Sequence, residues 1–424
     1  MSSETSTAGS TSTGSTAADS TPAESTAPLS PPAQDTAAQD TAAQDTADSA
    51  ADRGTSVLPE GHPLRKGLTA DSALLNQYRG GRAADGSHRL PGRRPVWFMR
   101  QAGRSLPEYR SLREGTTMLE SCLTPDMASE ITLQPVRRHD VDAAIFFSDI
   151  VIPLRLAGIE VEIAPGVGPV FSSPVSSAAD VKNLPELDDD AFAPVVEAVQ
   201  RTVAELGTTP LIGFAGAPFT LAAYMVEGRP SRDHLGPRAM MHSDPETWEA
   251  LAEWAADISG RFMRAQVLAG ASAAQLFDSW AGSLGREDYA DHVHRHSARA
   301  LSHLADLPVP KVHFGTGTGE ILDLLGSAGA DVVGVDYRIP LATATSRVGA
   351  GTPLQGNIDP ALLRAEWPAL EAHVRRVIAS GAGAAGHVLN LGHGVPPDTD
   401  PEVLTRVVEL IHSIGYPQGE DSGS

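Results

Sequence analysis

The sequence predicts an α/β protein: a single (β/α)8 TIM barrel with a small hairpin insertion and a disordered N-terminal tail. Three observations predict it. From about Ser72 onward, short runs rich in β-branched and aromatic residues alternate with longer helix-like segments. Several of the short runs are apolar without alternation, as strands buried on both faces of a parallel sheet are. Eight such runs occur in roughly 350 residues, within the size range of that fold.

The chain before the barrel has a different texture. Ser, Thr, Ala, Asp and Gln dominate it, and Ala-Gln-Asp-Thr-Ala recurs every five residues across 33–48. Such a segment cannot bury enough apolar surface to offset the entropy of ordering it. The expected division is a disordered acidic tail at 1–68, the barrel at 69–416 and a short flexible tail at 417–424. Eight acids and one base up to Arg53 give the tail −7 of the chain's −21, leaving −14 for the rest. This balance argues against a general nucleic-acid binder, which shows a basic surface. It also means that an anionic ligand would need a local cluster of arginines. The tail lacks the apolar core of a secretory signal and the basic character of a transit peptide. No run approaches 18 apolar residues, so the chain is expected in the cytoplasm and away from membranes. A single cysteine, Cys122, rules out an intrachain disulfide framework and a multi-cysteine metal site.

In order, the strand candidates are Val96–Met99, Ala143–Phe147, Leu211–Phe214, Ala274–Phe277, Lys311–Phe314, Val332–Val335, Pro353–Gln355 and Val388–Leu391. Helix-like segments lie between them: Ala193–Glu205, Thr247–Leu268, Tyr289–Ala305, Glu320–Ala328 and Leu362–Ala379. Val161–Phe171 alternates and carries a Gly-Pro turn, so it reads as a hairpin inserted after the second strand.

Chemistry in such a barrel collects at the carboxyl ends of the strands. Those ends supply Arg100-Gln-Ala-Gly-Arg104, Ser148-Asp149, Gly213–Thr220 followed by Tyr224, Phe277-Asp278-Ser279, and Asn390-Leu-Gly-His393-Gly394. Arg100 and Arg104 share a face if they form a helical turn. In a loop, Gly103 would let the backbone aim both inward. Paired guanidiniums suit a substrate with several carboxylates, although two surface arginines would read the same way. Asp149 interrupts an apolar run, so it is expected to be buried and either ion-paired or held ready to stabilise positive charge. His393 stands between two glycines, which gives access to its ring.

Three further features point elsewhere. Gly315-Thr-Gly-Thr-Gly319, with Asp336 ending the next strand, has the form of a nucleotide-binding turn, but only two strand candidates follow Asp336. His292 and His296 can share a helix face, yet no carboxylate or cysteine pattern supports a metal there. Cys122 beside Thr124-Pro125 reads as an inert thiol.

Pro95-Val-Trp-Phe-Met-Arg-Gln-Ala-Gly-Arg-Ser-Leu-Pro-Glu-Tyr-Arg110 closely resembles the signature of the uroporphyrinogen decarboxylase family. So does Gly213-Phe-Ala-Gly-Ala-Pro-Phe-Thr-Leu-Ala-Ala-Tyr-Met-Val-Glu-Gly228. Phe147–Ile150, Leu276–Ser279, Leu354–Pro360 and Asn390–Gly394 match in the same order. The likeness covers about residues 72 to 415. It implies a (β/α)8 barrel, usually a homodimer with facing clefts, and neither metal nor organic cofactor. The implied reaction turns the four acetate side chains of uroporphyrinogen III into methyls, giving coproporphyrinogen III in haem biosynthesis. Carried over by motif, the substrate-binding positions are Arg100, Gln101, Ala102, Gly103, Arg104, Asp149, Tyr224, Ser279 and His393. Phe277 lines the pocket, and Asp149 is also the transition-state stabiliser. The proton donor stays open, because the high pKa of arginine makes Arg100 a poor one. The rival readings are a superfamily methyltransferase acting on methylcobalamin or thiols and an inactive tetrapyrrole carrier.

Overall fold

The structure is a computed structural model and describes residues 55–416. Its centre is a curled parallel sheet of seven strands in the order β1-β4-β5-β6-β7-β8-β9. These are β1 (Ala144–Ile145), β4 (Leu211–Gly216), β5 (Ala273–Asp278), β6 (Lys311–Gly315), β7 (Val332–Gly334), β8 (Leu354–Gln355) and β9 (His387–Val388). All residues of β4 are buried, as its unbroken apolar run requires with helices covering the outer face. β2 (Val161–Ala164) and β3 (Gly168–Phe171) form the expected antiparallel hairpin after β1. Its turn falls on Pro165–Val167, with Gly166 at φ +74°, and the Gly-Pro pair opens β3 instead.

The expected eighth strand, Val96–Met99, is not one. Its part in the sheet is a single parallel bridge, Val96 to Leu389. Trp97 N–H donates to Leu389 O at 3.2 Å, Leu389 N–H donates to Pro95 O at 2.9 Å, and Asp142 N–H donates to Val96 O at 2.8 Å on the opposite side. The next two amides leave the ladder for side chains: Phe98 N–H donates to Gln101 Oε1 and Met99 N–H to Asn390 Oδ1, each at 3.0 Å. Pro95 has no N–H to give. By strand pairing the sheet is therefore open and seven-stranded.

The helices also depart from their sequence outlines where backbone chemistry intervenes. The segment expected at Tyr289–Ala305 divides at Val293 into Arg286–His292 and His294–Ser302. That expected at Leu362–Ala379 becomes a 3-10 turn, Pro360–Arg364, and a helix, Trp367–Ser380, with Pro368 in its first turn. The boundary of the body also needs correction. Within the stretch assigned to the tail, Leu58 and Leu64 are buried, and the buried His62 ring contacts the carbonyls of Val267 (3.0 Å) and Ala271 (3.3 Å). These few apolar residues are scattered among Pro and Gly, so they carry no periodic signal. The remainder of the expected tails, 1–54 and 417–424, lies outside the described residues. Among the described residues no helix is long and apolar enough to cross a membrane.

Candidate active site

The turn after Trp97 is built around Gln101. Its buried side-chain oxygen accepts from Phe98 N–H, its amide donates to Ala143 O at 3.1 Å, and its own N–H closes on Phe98 O at 3.0 Å. This tight turn forces Arg100 to φ +61°, a region sparsely used by residues with a side chain. The strain is of order 1 kcal/mol or more, and the packed turn maintains it. A loop, not a helical turn, thus presents the arginine.

The loop after β9 fastens to this turn through Asn390 and through Val395 N–H, which donates to Met99 O at 2.8 Å. Gly394 then lies under the Arg100 stem: a Cβ there would stand 2.5 Å from Arg100 Cδ. The same fastening brings His393 beside Arg100. Gly394 N–H donates to His393 Nδ1 at 2.7 Å, so a neutral ring carries its proton on Nε2. Desolvation lowers the His393 pKa, and the charges of Arg100 and Arg338 lower it further. The ring is therefore a neutral Nε2–H donor at pH 7.

Asp149 follows β1 and is half-buried. Burial raises its pKa; the Val151 N–H, donating to Oδ1 at 3.1 Å, and the charge of Arg100 pull in the other direction. No cation lies within ion-pair distance of it among the described residues, so it is not the anchored half of a buried salt bridge. Tyr224, on the helix Pro218–Glu227, is half-buried with a pKa pushed up to about 12 by burial and then by the charge of Asp149. Its hydroxyl makes no hydrogen bond with a described residue. Ser279 is half-buried just beyond β5, and Thr316 Oγ1 donates to its carbonyl at 2.5 Å, while its own hydroxyl makes no hydrogen bond with a described residue. Half-buried Phe277 meets Phe214 and Phe314 edge-on at 5.4 and 6.0 Å between ring centroids.

Arg100 thus lies within electrostatic reach of Asp149, Tyr224 and His393. Arg104 is exposed, its carbonyl held by Arg110 at 2.7 Å. Ala102 and Gly103 are half-buried beside it. Gln101 faces inward with both ends of its amide engaged, so its side chain supports the turn. Many other arginines are neutralised in place, as in Arg138–Glu108, Arg264–Asp306, Arg286–Asp323 and Arg364–Asp398. The guanidiniums of Arg100 and Arg104 form no hydrogen bond or ion pair with a described residue, so both are available to an anion.

Sequence reasoning missed Trp280. It stacks on Tyr224 at 3.8 Å and on His234 at 4.2 Å, fixing the position of the phenol. Its place directly after Ser279 at a strand end was a usable signal. The glycine-rich turn at 315–319 is satisfied internally: Asp336 accepts from Gly317 N–H at 2.6 Å and pairs with Arg338. No ribose-binding acid is therefore left free. Cys122 is buried with its pKa pushed well up by burial and by Asp149, which makes it an inert thiol.

A family model described as "Uroporphyrinogen decarboxylase (URO-D)" matches residues 82–414. A protein of Arthrobacter sp. (strain FB24) named uroporphyrinogen decarboxylase is 70% identical over 348 residues, covering 82% of this chain and 99% of its own length. One of the same name from Leifsonia xyli subsp. xyli (strain CTCB07) is 59% identical over 378 residues, covering 84% and 98%. Among solved structures, a methyltransferase from Methanosarcina mazei superposes with a TM-score of 0.67 at 16% identity over 82% of this chain and 99% of that one, a likeness of fold alone. The match across the whole folded body, at identities this high, places the chain in the uroporphyrinogen decarboxylase family.

Proposed function

We propose that this chain decarboxylates the four acetate side chains of uroporphyrinogen III to methyls, releasing four molecules of carbon dioxide and giving coproporphyrinogen III. The observation that carries the reading is a half-buried carboxylate without an ion-pair partner, Asp149, next to an unpaired arginine at the open end of the sheet. Cleaving the bond between an acetate methylene and its carboxylate leaves an electron pair that needs a sink. Protonation of the pyrrole carbon makes the ring a cation that accepts it; a proton added to the resulting methylene then makes the methyl, and loss of the ring-carbon proton restores the pyrrole, so each decarboxylation takes up one proton overall. Asp149 accepts the pyrrole N–H groups and stabilises the cation as it forms. Arg100 and Arg104 supply counter-charge to the remaining carboxylates. Neutral His393 donates from Nε2, and Tyr224 and Ser279 offer hydroxyls. Phe277 provides an apolar wall, and Ala102 and Gly103 offer backbone to the same pocket. Gln101 acts at one remove, through the turn.

The reading carries with it a cofactor-independent cytoplasmic enzyme acting as a homodimer, with Pro95–Trp97 as the eighth stave of a (β/α)8 barrel whose domain spans the folded body. The test is turnover of chemically reduced uroporphyrinogen III under anaerobic conditions, with chromatographic product analysis. Accumulation of coproporphyrinogen with four equivalents of carbon dioxide is expected. Unchanged substrate would overturn the proposal, and tight binding without turnover would mark a carrier.

A further inference from the structure

We propose that His242, Asp288 and His292, none of them among the pocket residues, form a binding site for a divalent transition-metal ion of the zinc class. One ligand atom from each lies within 4.8 Å of the others. His242 Nε2 stands 3.2 Å from Asp288 Oδ1. Bonds of about 2.0–2.1 Å to a tetrahedral ion set donor atoms about 3.3 Å apart, so this edge is already formed. Two imidazoles and one carboxylate, with a fourth position for water, suit zinc, cobalt or nickel better than calcium or magnesium, which prefer oxygen. The sequence pairs His292 with His296, but the structure separates them: a break at Val293 turns His296 inward onto Glu249 at 3.2 Å. The partner that completes the set comes from another helix, 46 residues before Asp288.

The site ties together two segments that matter to the pocket. His242 lies in the last turn of the helix Leu235–Ser243, whose N-cap is His234, the residue stacked on Trp280. Asp288 and His292 lie on the helix Arg286–His292, which follows Ser279 and Trp280. His292 is held in place at its backbone, whose carbonyl accepts from Trp248 Nε1 at 2.9 Å. A bound ion is a second clasp between the connections after β4 and β5, outside the aromatic stack.

The full-length protein, stripped with chelator, is titrated with Co2+ alone while visible d–d absorption is followed, and Zn2+ is then added. The expected result is one four-coordinate Co2+ per chain, displaced by Zn2+, and a melting temperature raised by Zn2+. His242→Ala and His292→Ala each weaken binding tenfold or more and abolish the Zn2+ shift, while their metal-free melting temperatures match the parent. Asp288→Asn, nearly isosteric, serves if an alanine disturbs its helix. Absence of a d–d band below millimolar Co2+, or equal binding by the His242→Ala/His292→Ala double variant, overturns the proposal.

Discussion

Replacing Gly394 with alanine puts a methyl group where the stem of Arg100 now lies. The new Cβ would sit 2.5 Å from Cδ, 2.9 Å from Cγ and 3.2 Å from Nε of Arg100. Carbon atoms pack at about 3.5–4.0 Å, so the stem must move by roughly 1 Å or more. Gly394 does not occupy the left-handed region, and the obstructing atoms belong to a flexible side chain. The fold should therefore absorb the change within about 0.5 kcal/mol. The cost falls on the guanidinium, whose charged hydrogen bond to a carboxylate is worth about 1.5–3 kcal/mol, or roughly 10- to 150-fold in KM. Steady-state kinetics with uroporphyrinogen III and a thermal melt measure both quantities. Gly392→Ala is the contrast, because its Cβ would meet Tyr337 N at 2.2 Å, a clash with backbone that should lower stability outright. In an Arg100→Ala background Gly394→Ala should add little, because the two changes share one target. An unchanged KM, or a full effect in that background, would refute the reasoning.

Asp149→Asn should lower kcat by roughly 100- to 1000-fold. Burial raises the Asp149 pKa, so its stability contribution is fullest below the unfolded carboxyl value and is lost as pH rises through the raised one. At neutral pH the variant should melt no lower than the parent, and the acid limb of kcat/KM should disappear; near-normal kcat would sink the assigned role. Gln101→Leu strands the buried Phe98 N–H and Ala143 carbonyl at about 1–3 kcal/mol each, so a calorimetric melt should fall by several degrees, and an unshifted melt would contradict the turn's assigned support. His139 and His387 are buried with pKa values lowered to about 4. Their contribution is complete above about 6.5 and is lost as pH falls toward 4, on the order of 3 kcal/mol each. A melting temperature flat from pH 7 to 4.5 would show that they are not held neutral.

The parallel sheet was legible because strands covered on both faces are largely apolar, as β4 and β7 are throughout. Val96–Met99 misled because composition does not reveal that Gln101 and Asn390 take two of its amides. The positions of Asp149 and His393 were readable as polar residues in the loops after strands, and that of Tyr224 from the segment that follows β4. The inward turn of Gln101 was not, since the motif marks the loop without saying which way each side chain faces. The pairing of His242 with Asp288 was also hidden, because helices from two different crossovers meet there and no local periodicity records it.

The unpaired guanidiniums of Arg100 and Arg104 are a small positive spot on a chain of net charge −21. A polyanionic porphyrinogen must approach through a field that repels it before reaching a short-range attraction. The Debye length falls from about 30 Å at 0.01 M salt to about 8 Å at 0.15 M. Added salt therefore screens the approach more than the final contact. Capture, followed by stopped flow, should quicken over this range, the reverse of the usual slowing when a basic surface collects an anion.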